Sequence, residues 1–218
     1  MTGETMTGRL RPLGAALLLL LAGCIGRGEV ATLDVHAVRP PGRLGVDQHD
    51  VNVIVTSFED TRPERCRLGI RTHFWGGQSF FKMEGSKPGD VVPKAMVDYL
   101  RAKGWRAEAV KAEPTFVKQG GVPPEKDVVI TGRVLDFVVD VEGKFLRTDI
   151  TAKTRIAVQA VNAADGSQTR LTLRGTGTHR VLWFSPEDAE RLINDVLTET
   201  VEKFLRETSL EDRAVRLK

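Results

Sequence analysis

The residues of this 218-residue chain whose side chains could do chemistry are above all its two cysteines. Cys24 directly follows a run of leucines near the start of the chain, and Cys66 lies between Arg65 and Arg67. A thiol can carry a lipid, form a disulfide, bind a metal or act as a nucleophile. The residues around each cysteine, and the elements that position it, decide between these chemistries.

The start of the chain has the three zones of a secretory signal. Arg9 and Arg11 form a basic start, an almost purely apolar run covers Leu13–Leu21, and small residues follow up to Gly23. The apolar run is far shorter than the ~20 residues that cross a bilayer as a helix. The sequence therefore predicts a cleaved signal peptide rather than a permanent transmembrane anchor.

The four residues Leu21-Ala22-Gly23-Cys24 resemble the lipobox of bacterial lipoproteins. The resemblance implies cleavage after Gly23, a diacylglycerol thioether on Cys24 and an acyl chain such as palmitate on the new amino terminus. One acyl chain gives only marginal membrane residence, whereas two or more hold a protein stably. Ile25 stands where an inner-membrane retention signal has Asp, which favours the outer membrane, facing the periplasm, over the inner membrane. The alternative is a plain secretory signal in which Cys24 occurs by chance.

With Cys24 acylated, Cys66 has no cysteine with which to form an internal disulfide. It is either buried and inert or a reactive thiol whose pKa the flanking arginines lower. The four histidines show none of the spacings of a zinc site, and no nucleophile lies in a recognisable catalytic motif. We therefore expect no enzymatic activity, no metal and no cofactor other than the covalent lipid.

The charge pattern gives no indication of a nucleic-acid partner. Cleavage of the signal peptide removes two arginines and one glutamate, so the formal net charge falls from +3 to +2. A surface so nearly balanced does not attract a polyanion strongly. The expected partners are the membrane, through the lipid anchor, and an envelope protein. A repeated Met-Thr-Gly leaves Met1 and Met6 as alternative starts, with the same mature chain.

Alternating apolar residues, many of them β-branched, predict a chain rich in strands. The predicted strands cover residues 32–38, 51–58, 105–110 and 127–145, and a β-hairpin covers residues 148–183. The hairpin turns at residues 162–166, where an Asp-Gly pair favours a turn. The aromatic, glycine-punctuated residues 66–87 form either a second hairpin or an ordered loop. Gly132 indicates a kink or bulge, and Gly175 and Gly177 indicate a bulge or a close backbone approach.

Two amphipathic helices are predicted from apolar stripes with helical spacing. The first covers Asp90–Lys103, with its first residue as N-cap and Gly104 as the stop signal. The second begins after the N-cap Ser185, with Pro186 as its first residue and Asp188 placed for a capping box. Each helix must bury one face against another element.

This order of elements predicts an α+β fold, with a mixed, mostly antiparallel β-sheet and both amphipathic helices packed on one face. A helix between them allows strands 51–58 and 105–110 to be parallel. The expected organisation is a lipoprotein signal peptide at residues 1–23, a tether with a candidate first strand at 24–48, a single α+β periplasmic domain at 49–209 and a charged, frayed tail at 210–218.

The chain resembles the YajG-like bacterial lipoproteins and, more loosely, lipoproteins whose domain is like the amino-terminal domain of TolB. The resemblance includes the lipobox, the strand "VNVIVTSFEDTRPE" with Asp60 and Arg62 in its Asp-x-Arg loop, and the helix "VVPKAMVDYLRAKGW". It implies a periplasm-facing domain with no known catalytic activity. Relatives of this design act as accessory subunits in secretion, lipid transport or cell-wall assembly. The aromatic segment "THFWGGQSFFKM" departs from the family pattern.

That aromatic segment is the main candidate for a partner-binding surface, because aromatic side chains are enriched in binding hot spots. Its candidates are Phe74, Trp75, Phe80 and Phe81. The alternative is a loop that folds back and completes the core, in which His73 is an ordinary loop residue rather than a ligand. Asp60 and Arg62 likewise either pair with each other or bind an anionic group of a partner.

Two hypotheses for function follow. The first is a non-enzymatic, outer-membrane-anchored lipoprotein that acts as an accessory or docking subunit of an envelope complex. The alternative is a periplasmic module that binds a lipid or another small molecule between sheet and helices. It rests on the apolar residues on both faces of strand 127–145, which include Val129, Val134, Phe137, Val138 and Val139.

Overall fold

The computed structural model describes residues 28–37, 50–111 and 125–218 of the chain. The predicted signal peptide, Cys24 and most of the predicted tether lie outside these residues. The described strands are β1 (Val30–Leu33), β2 (Asn52–Thr56), β3 (Glu59–Asp60), β4 (Gly69–Thr72), β5 (Gln78–Met83), β6 (Arg106–Val110), β7 (Val128–Lys144), β8 (Arg147–Asn162), β9 (Gln168–Val181), β10 (Thr208–Glu211) and β11 (Ala214–Leu217). The described helices are α1 (Pro88–Ala102) and α2 (Pro186–Glu207).

Strand β7 is the centre of the sheet. Along one edge it pairs with β8 over its whole length, and β8 pairs with β9; both pairings are antiparallel. Along its other edge β7 pairs in turn with β2, β3 and β4, all parallel. Strand β6 extends the sheet beyond β2, and β5 followed by β1 extends it beyond β4. Since the two longest pairings are antiparallel, the predicted mixed, mostly antiparallel sheet is confirmed.

Strands β2 and β6 are parallel, as the sequence predicts, with Val53 opposite Ala107. Residues 66–87 contain a hairpin, because β4 and β5 pair antiparallel from Gly69–Phe81 to Thr72–Gln78. The sequence left this segment open between a hairpin and a loop.

Both helices pack on one face of the sheet, and their apolar stripes form the core with it. The buried residues of the predicted stripe of α1 are Val92, Ala95, Met96, Tyr99 and Leu100. In α2 they are Ala189, Ile193, Val196, Leu197, Val201 and Phe204. The capping box is present, since the Ser185 N–H donates a hydrogen bond of 3.0 Å to the Asp188 carboxylate. No helix in the described part of the chain is long and apolar enough to span a bilayer.

Helix α1 begins earlier than the sequence predicts, at Pro88 rather than after Asp90. Asp90 therefore lies in the first turn, where its charge favours the helix dipole, instead of at the N-cap. Pro93 lies in the second turn and cannot donate to the Gly89 carbonyl. That carbonyl instead accepts a hydrogen bond of 2.9 Å from the Phe58 N–H at the end of β2. The proline thus frees an acceptor that joins the helix to the sheet.

The glycines of the long strands mark close approaches. A Cβ atom at Gly177 would lie 2.7 Å from Val196 Cγ2, so α2 can cross β9 there only over a glycine. The predicted bulge at Gly132 is wrong in position, because the register of β7 and β8 shifts between Val134 and Asp136. Gly132 instead leaves room for the Phe58 ring, whose Cε2 would be 2.5 Å from an added Cβ.

Both ends of the described chain belong to the fold. Strand β1 and the buried Val35 lie within the predicted tether, so the fold begins well before residue 49. The frayed tail predicted at residues 210–218 is wrong, because β10 and β11 form a hairpin. Val215 is fully buried, and its N–H donates a hydrogen bond of 2.8 Å to the Asn162 side chain. The buried Ala214 and Val215, together with the hydrogen bonds of Val215, join this tail to the sheet.

Candidate docking surface at one end of the sheet

Three connecting segments meet at one end of the sheet. Strands β4 and β7 pair as far as Thr72 and Glu142, and the turn at residues 73–77 follows β4. At the same end, Thr148 near the start of β8 pairs with Val181 at the end of β9. The turn between β7 and β8 therefore lies next to the turn after β4, and the two residues after β9 lie at the same end of the sheet, next to β8. Phe184, which follows them, packs on Arg71 of β4, with the guanidinium carbon 4.3 Å from the ring centroid.

These segments carry large apolar side chains into solvent. We call the six residues the apolar end: Phe74 (49 % exposed), Trp75 (82 %), Phe145 (73 %), Leu146 (72 %), Leu182 (73 %) and Trp183 (88 %). Five of them are the most exposed large apolar side chains of the described residues. Large apolar side chains grouped at one end of a sheet mark a site of interaction with another surface.

Ring contacts join two of these segments, the turn after β4 and the turn between β7 and β8. The Phe74 ring lies edge-on to Trp75 at 4.7 Å between centroids and lies 6.1 Å from the Phe145 ring. Gly143 allows this approach, since an added Cβ would lie 3.0 Å from the Phe74 nitrogen. The aromatic turn is therefore supported by the long central hairpin of β7 and β8.

The turn between β7 and β8 is unusual in its residues. Only Phe145 and Leu146 separate the paired residues Lys144 and Arg147. Two-residue hairpin turns favour Asn, Asp and Gly, and a large side chain at positive φ is uncommon. Leu146 nevertheless has a φ of 60°. Backbone strain of this kind clusters at active and binding sites.

A charged cluster lies directly behind the apolar end. Asp149 accepts hydrogen bonds from Lys144 at 2.8 Å and from Arg180 at 2.7 Å, and Lys144 also pairs with Glu142 at 2.9 Å. The hydrogen bonds from Lys144 and Arg180 lower the pKa of Asp149 to about 2. The bond to Asp149 in turn raises the pKa of Lys144. These groups satisfy one another and line a polar groove of about 440 Å³ on the open face of the sheet.

His73 lies at the base of the aromatic turn, where its Nε2 is hydrogen bonded to Ser79 Oγ at 2.6 Å. Burial lowers the pKa of His73, and the neighbouring Arg71 lowers it further. The lowered pKa favours the neutral imidazole, and the bond to Ser79 agrees with the interpretation of His73 as an ordinary loop residue.

The aromatic residues of the predicted partner surface separate into two groups. Phe74 and Trp75 belong to the apolar end. Phe80 is half-buried beneath Arg67, whose guanidinium carbon is 5.2 Å from the ring centroid. Phe81 is 1 % exposed and is part of the core, so its prediction as a partner-binding residue is wrong. Alternation along β5 turns this side chain to the helix face.

Asp60 and Arg62 pair with each other. Arg62 is 6 % exposed and donates two hydrogen bonds of 2.9 Å to the Asp60 carboxylate. Its remaining N–H groups donate to the carbonyl oxygens of Phe137, Arg67 and Arg65 at 3.0, 3.2 and 3.4 Å. Burial alone would raise the pKa of Asp60, but the hydrogen bonds from Arg62 outweigh it and lower that pKa. No donor of Arg62 is left for an anion of a partner.

Cys66 is exposed in the loop before β4, so the interpretation as a buried, inert residue is wrong. Among the described residues, no group of three or more His, Cys, Asp or Glu side chains is placed to hold a metal ion.

Sequence reasoning missed four residues of the apolar end: Phe145, Leu146, Leu182 and Trp183. Two signals were available. An apolar pair occupies a two-residue hairpin turn, and a second apolar pair stands between the end of a strand and the N-cap Ser185. Neither pair reveals by itself that the two segments meet.

No protein-family model and no curated protein sequence matches the chain. Solved structures with a similar fold include protein XCC0632 of the family DUF330 from Xanthomonas campestris, at 12 % identity over 81 % of this chain and 92 % of that chain, with a TM-score of 0.50. Lipoprotein GNA1162 from Neisseria meningitidis is 12 % identical over 70 % of this chain and 99 % of its own, with a TM-score of 0.33. A PelC dodecamer from Paraburkholderia phytofirmans is 15 % identical over 70 % of this chain and 89 % of its own, with a TM-score of 0.35.

At this identity the likeness to XCC0632 concerns the fold alone, and it agrees with the α+β architecture. The lower TM-scores of the other two support no argument. Function has to be inferred from the residues of this chain.

Proposed function

We propose that this chain is a lipid-anchored protein of the bacterial cell envelope that acts by docking and not by catalysis. Acyl chains on Cys24 would hold it at the outer membrane, with its domain in the periplasm. The YajG-like resemblance supports a role as an accessory subunit in secretion, lipid transport or cell-wall assembly. The surface through which the domain docks is the apolar end.

The apolar end is the observation that carries this proposal. Full burial of a large apolar side chain is worth roughly 1.5–3 kcal/mol, and the six residues of this end gain most of that only when another surface covers them. Scattered apolar residues would not support the same conclusion. Here Trp75, Phe145 and Trp183 come from three separate segments and reach the same end of the sheet.

The charged groups near this end favour docking over catalysis. A general base needs a pKa near the working pH. Asp149, with a pKa of about 2, remains ionised and paired with Lys144 near neutral pH. His73 is hydrogen bonded to Ser79 Oγ at the base of the aromatic turn. Both groups therefore act as supports for the surface.

Lipid attachment is tested by the mass of the protein extracted from membranes. We expect a chain that starts at Cys24 and carries a diacylglycerol and an amide-linked acyl chain. Cys24→Ala should leave the membrane fraction during a carbonate wash, whereas Cys66→Ala, which changes the other cysteine, should remain. A Cys24→Ala protein that stays in washed membranes would disprove the anchor.

Docking is tested separately by photo-crosslinking in cells. A photoreactive residue at position 75 or 183 should give a crosslinked product. The matched control is position 217, since Leu217 is also apolar and exposed but lies in the C-terminal hairpin. Equal crosslinking at positions 183 and 217 would contradict a docking role of the apolar end.

The alternative function, binding of a lipid or small molecule, has one structural feature in its favour. A groove of about 290 Å³ lies between the loop that contains Arg62 and strand β7, next to Leu68 and Phe137. The apolar residues on the second face of β7 do not require a ligand. Ile54, Val129 and Val161 align across three strands and are all buried within the fold. A lipid retained by the purified chain in native mass spectrometry would favour this alternative.

A further inference from the structure

The chain enters the fold at the apolar end. The Gly28 N–H donates a hydrogen bond of 3.1 Å to the Gln78 carbonyl, and the Phe80 N–H donates one of 2.8 Å to the Glu29 carbonyl. Gln78 is the first residue of β5 and directly follows the turn that carries Phe74 and Trp75. The first described residue thus lies next to the exposed aromatic side chains.

Only a short stretch of chain separates this entry point from the predicted lipid. Cys24 precedes Gly28 by four residues, and an extended chain spans at most ~3.5 Å per residue, so the separation is at most ~14 Å. Strand β7 has 17 residues, and at ~3.3 Å per residue the sheet is roughly 55 Å long. An anchor at Cys24 therefore reaches the apolar end and cannot reach the opposite end.

The shape of the apolar end suits a fluid surface. Its side chains project from three separate segments instead of lining one groove, and Trp75 and Trp183 are the most exposed of them. Tryptophan has an apolar body with a polar N–H and is enriched where a protein meets the headgroups of a bilayer. Lys144, Arg147 and Arg180 lie behind these side chains in ion pairs with Asp149 and Glu142. Three positive and two negative charges leave this cluster with a net charge of +1, which is compatible with anionic headgroups.

We propose that the apolar end inserts into the headgroup region of the membrane that holds the acylated Cys24, so that lipid covers its six side chains. The inference rests on the proposed anchor and names the surface that this end contacts. It gives the domain a fixed orientation, with β7 directed away from the bilayer and the turn between β8 and β9 at the far end.

The native tryptophans report on this contact. The full chain, expressed with its own signal and purified in acylated form, is reconstituted in phosphatidylethanolamine vesicles with a minority of phosphatidylglycerol, with acyl chains either plain or brominated. The Trp183→Phe variant retains Trp75 and Trp105, and the Trp75→Phe variant retains Trp183 and Trp105. Each single variant therefore reports one exposed tryptophan in addition to Trp105. The double variant leaves only Trp105, which is 7 % exposed and serves as the internal control.

We expect brominated lipid to quench Trp75 and Trp183 and plain lipid to shift their emission to shorter wavelength, with Trp105 unaffected. Loss of Trp105 emission to the same extent would indicate unfolding on the vesicle and would overturn the inference. The inference would also be overturned if Trp75 and Trp183 were not quenched in a protein whose mass shows acylation. In that case the lipid anchor would stand, and the apolar end would face a protein partner. A protein whose mass shows an unmodified Cys24 refutes the proposed anchor instead, and with it the premise of the insertion.

Discussion

Arg62 donates two parallel hydrogen bonds of 2.9 Å to the carboxylate of Asp60 and thereby closes the loop between β3 and β4 over strand β7. The arginine is almost completely buried, whereas the aspartate is about one-fifth exposed. The sequence offered two interpretations of this pair, mutual pairing and recognition of an anion. The geometry supports the first, because the guanidinium has no donor left.

Asp60→Ala should destabilise the fold strongly, because Arg62 would remain buried without its counterion. Breaking a buried ion pair from one side costs about 3 kcal/mol or more. Urea unfolding followed by circular dichroism measures this change in the free energy of unfolding. In the same loop Glu64 pairs with Arg67 at 3.3 Å but is 66 % exposed. Glu64→Ala should cost less than about 1 kcal/mol, and equal losses for both variants would argue against a structural role of the buried pair.

Gly132→Ala should destabilise the fold by forcing Phe58 out of its position. Overpacking of a core costs about 1–3 kcal/mol. The added methyl group would lie 2.5 Å from the edge of the phenyl ring and 2.6 Å from the Ala157 carbonyl oxygen. Phe58→Leu removes only the first of these contacts, so it should recover part of the loss in the double variant. Thermal unfolding of the two single variants and the double variant tests this coupling. Simple additivity of the two losses would show that the ring is not the obstacle.

The charged cluster behind the apolar end should open in acid. The pKa of Asp149 is lowered from 3.8 to about 2, so its pairing stabilises the fold above pH 3.8 and is lost as the pH falls to about 2. NMR titration of the Asp149 carboxyl carbon should give a midpoint near pH 2, and Lys144→Met should move it upward. A midpoint near 4 in the unchanged protein would contradict the observed hydrogen bonds.

Cys66 should react in the folded state, because it is exposed. With Cys24 acylated, a maleimide should add once per chain under native conditions, as measured by intact mass, and Cys66→Ser should abolish the addition. Modification that requires urea would place this thiol in the interior.

Local patterns in the sequence predict the parts of the fold that depend on nearby residues. The capping box at Ser185, the turn at Gly166 and the alternation along β8 each follow from a few neighbouring residues. Strand β1 is different, since its pairing with β5 joins residues that are about fifty positions apart. Its existence was expected, but its position beside Gln78 was not predictable from its own residues.

The docking surface shows the same limit. Phe74 and Trp75 form a recognisable aromatic turn, so the sequence predicts two of the six residues of this surface. Leu182 and Trp183 join it only because β9 ends beside β8, and this depends on the register of a hairpin of 35 residues. The distance between the chain entry and the apolar end likewise follows from the topology and has no local signal.

The central claim is that the apolar end lies at the membrane that holds Cys24. It is tested most directly with a nitroxide at position 146, introduced as Leu146→Cys in the acylated Cys66→Ser protein on vesicles. We expect collisions with oxygen to exceed those with a water-soluble nickel chelate at this position, and the reverse for Leu217→Cys in the C-terminal hairpin, which is bound to the opposite end at Asn162. Equal access of the nickel chelate to both positions would contradict the account.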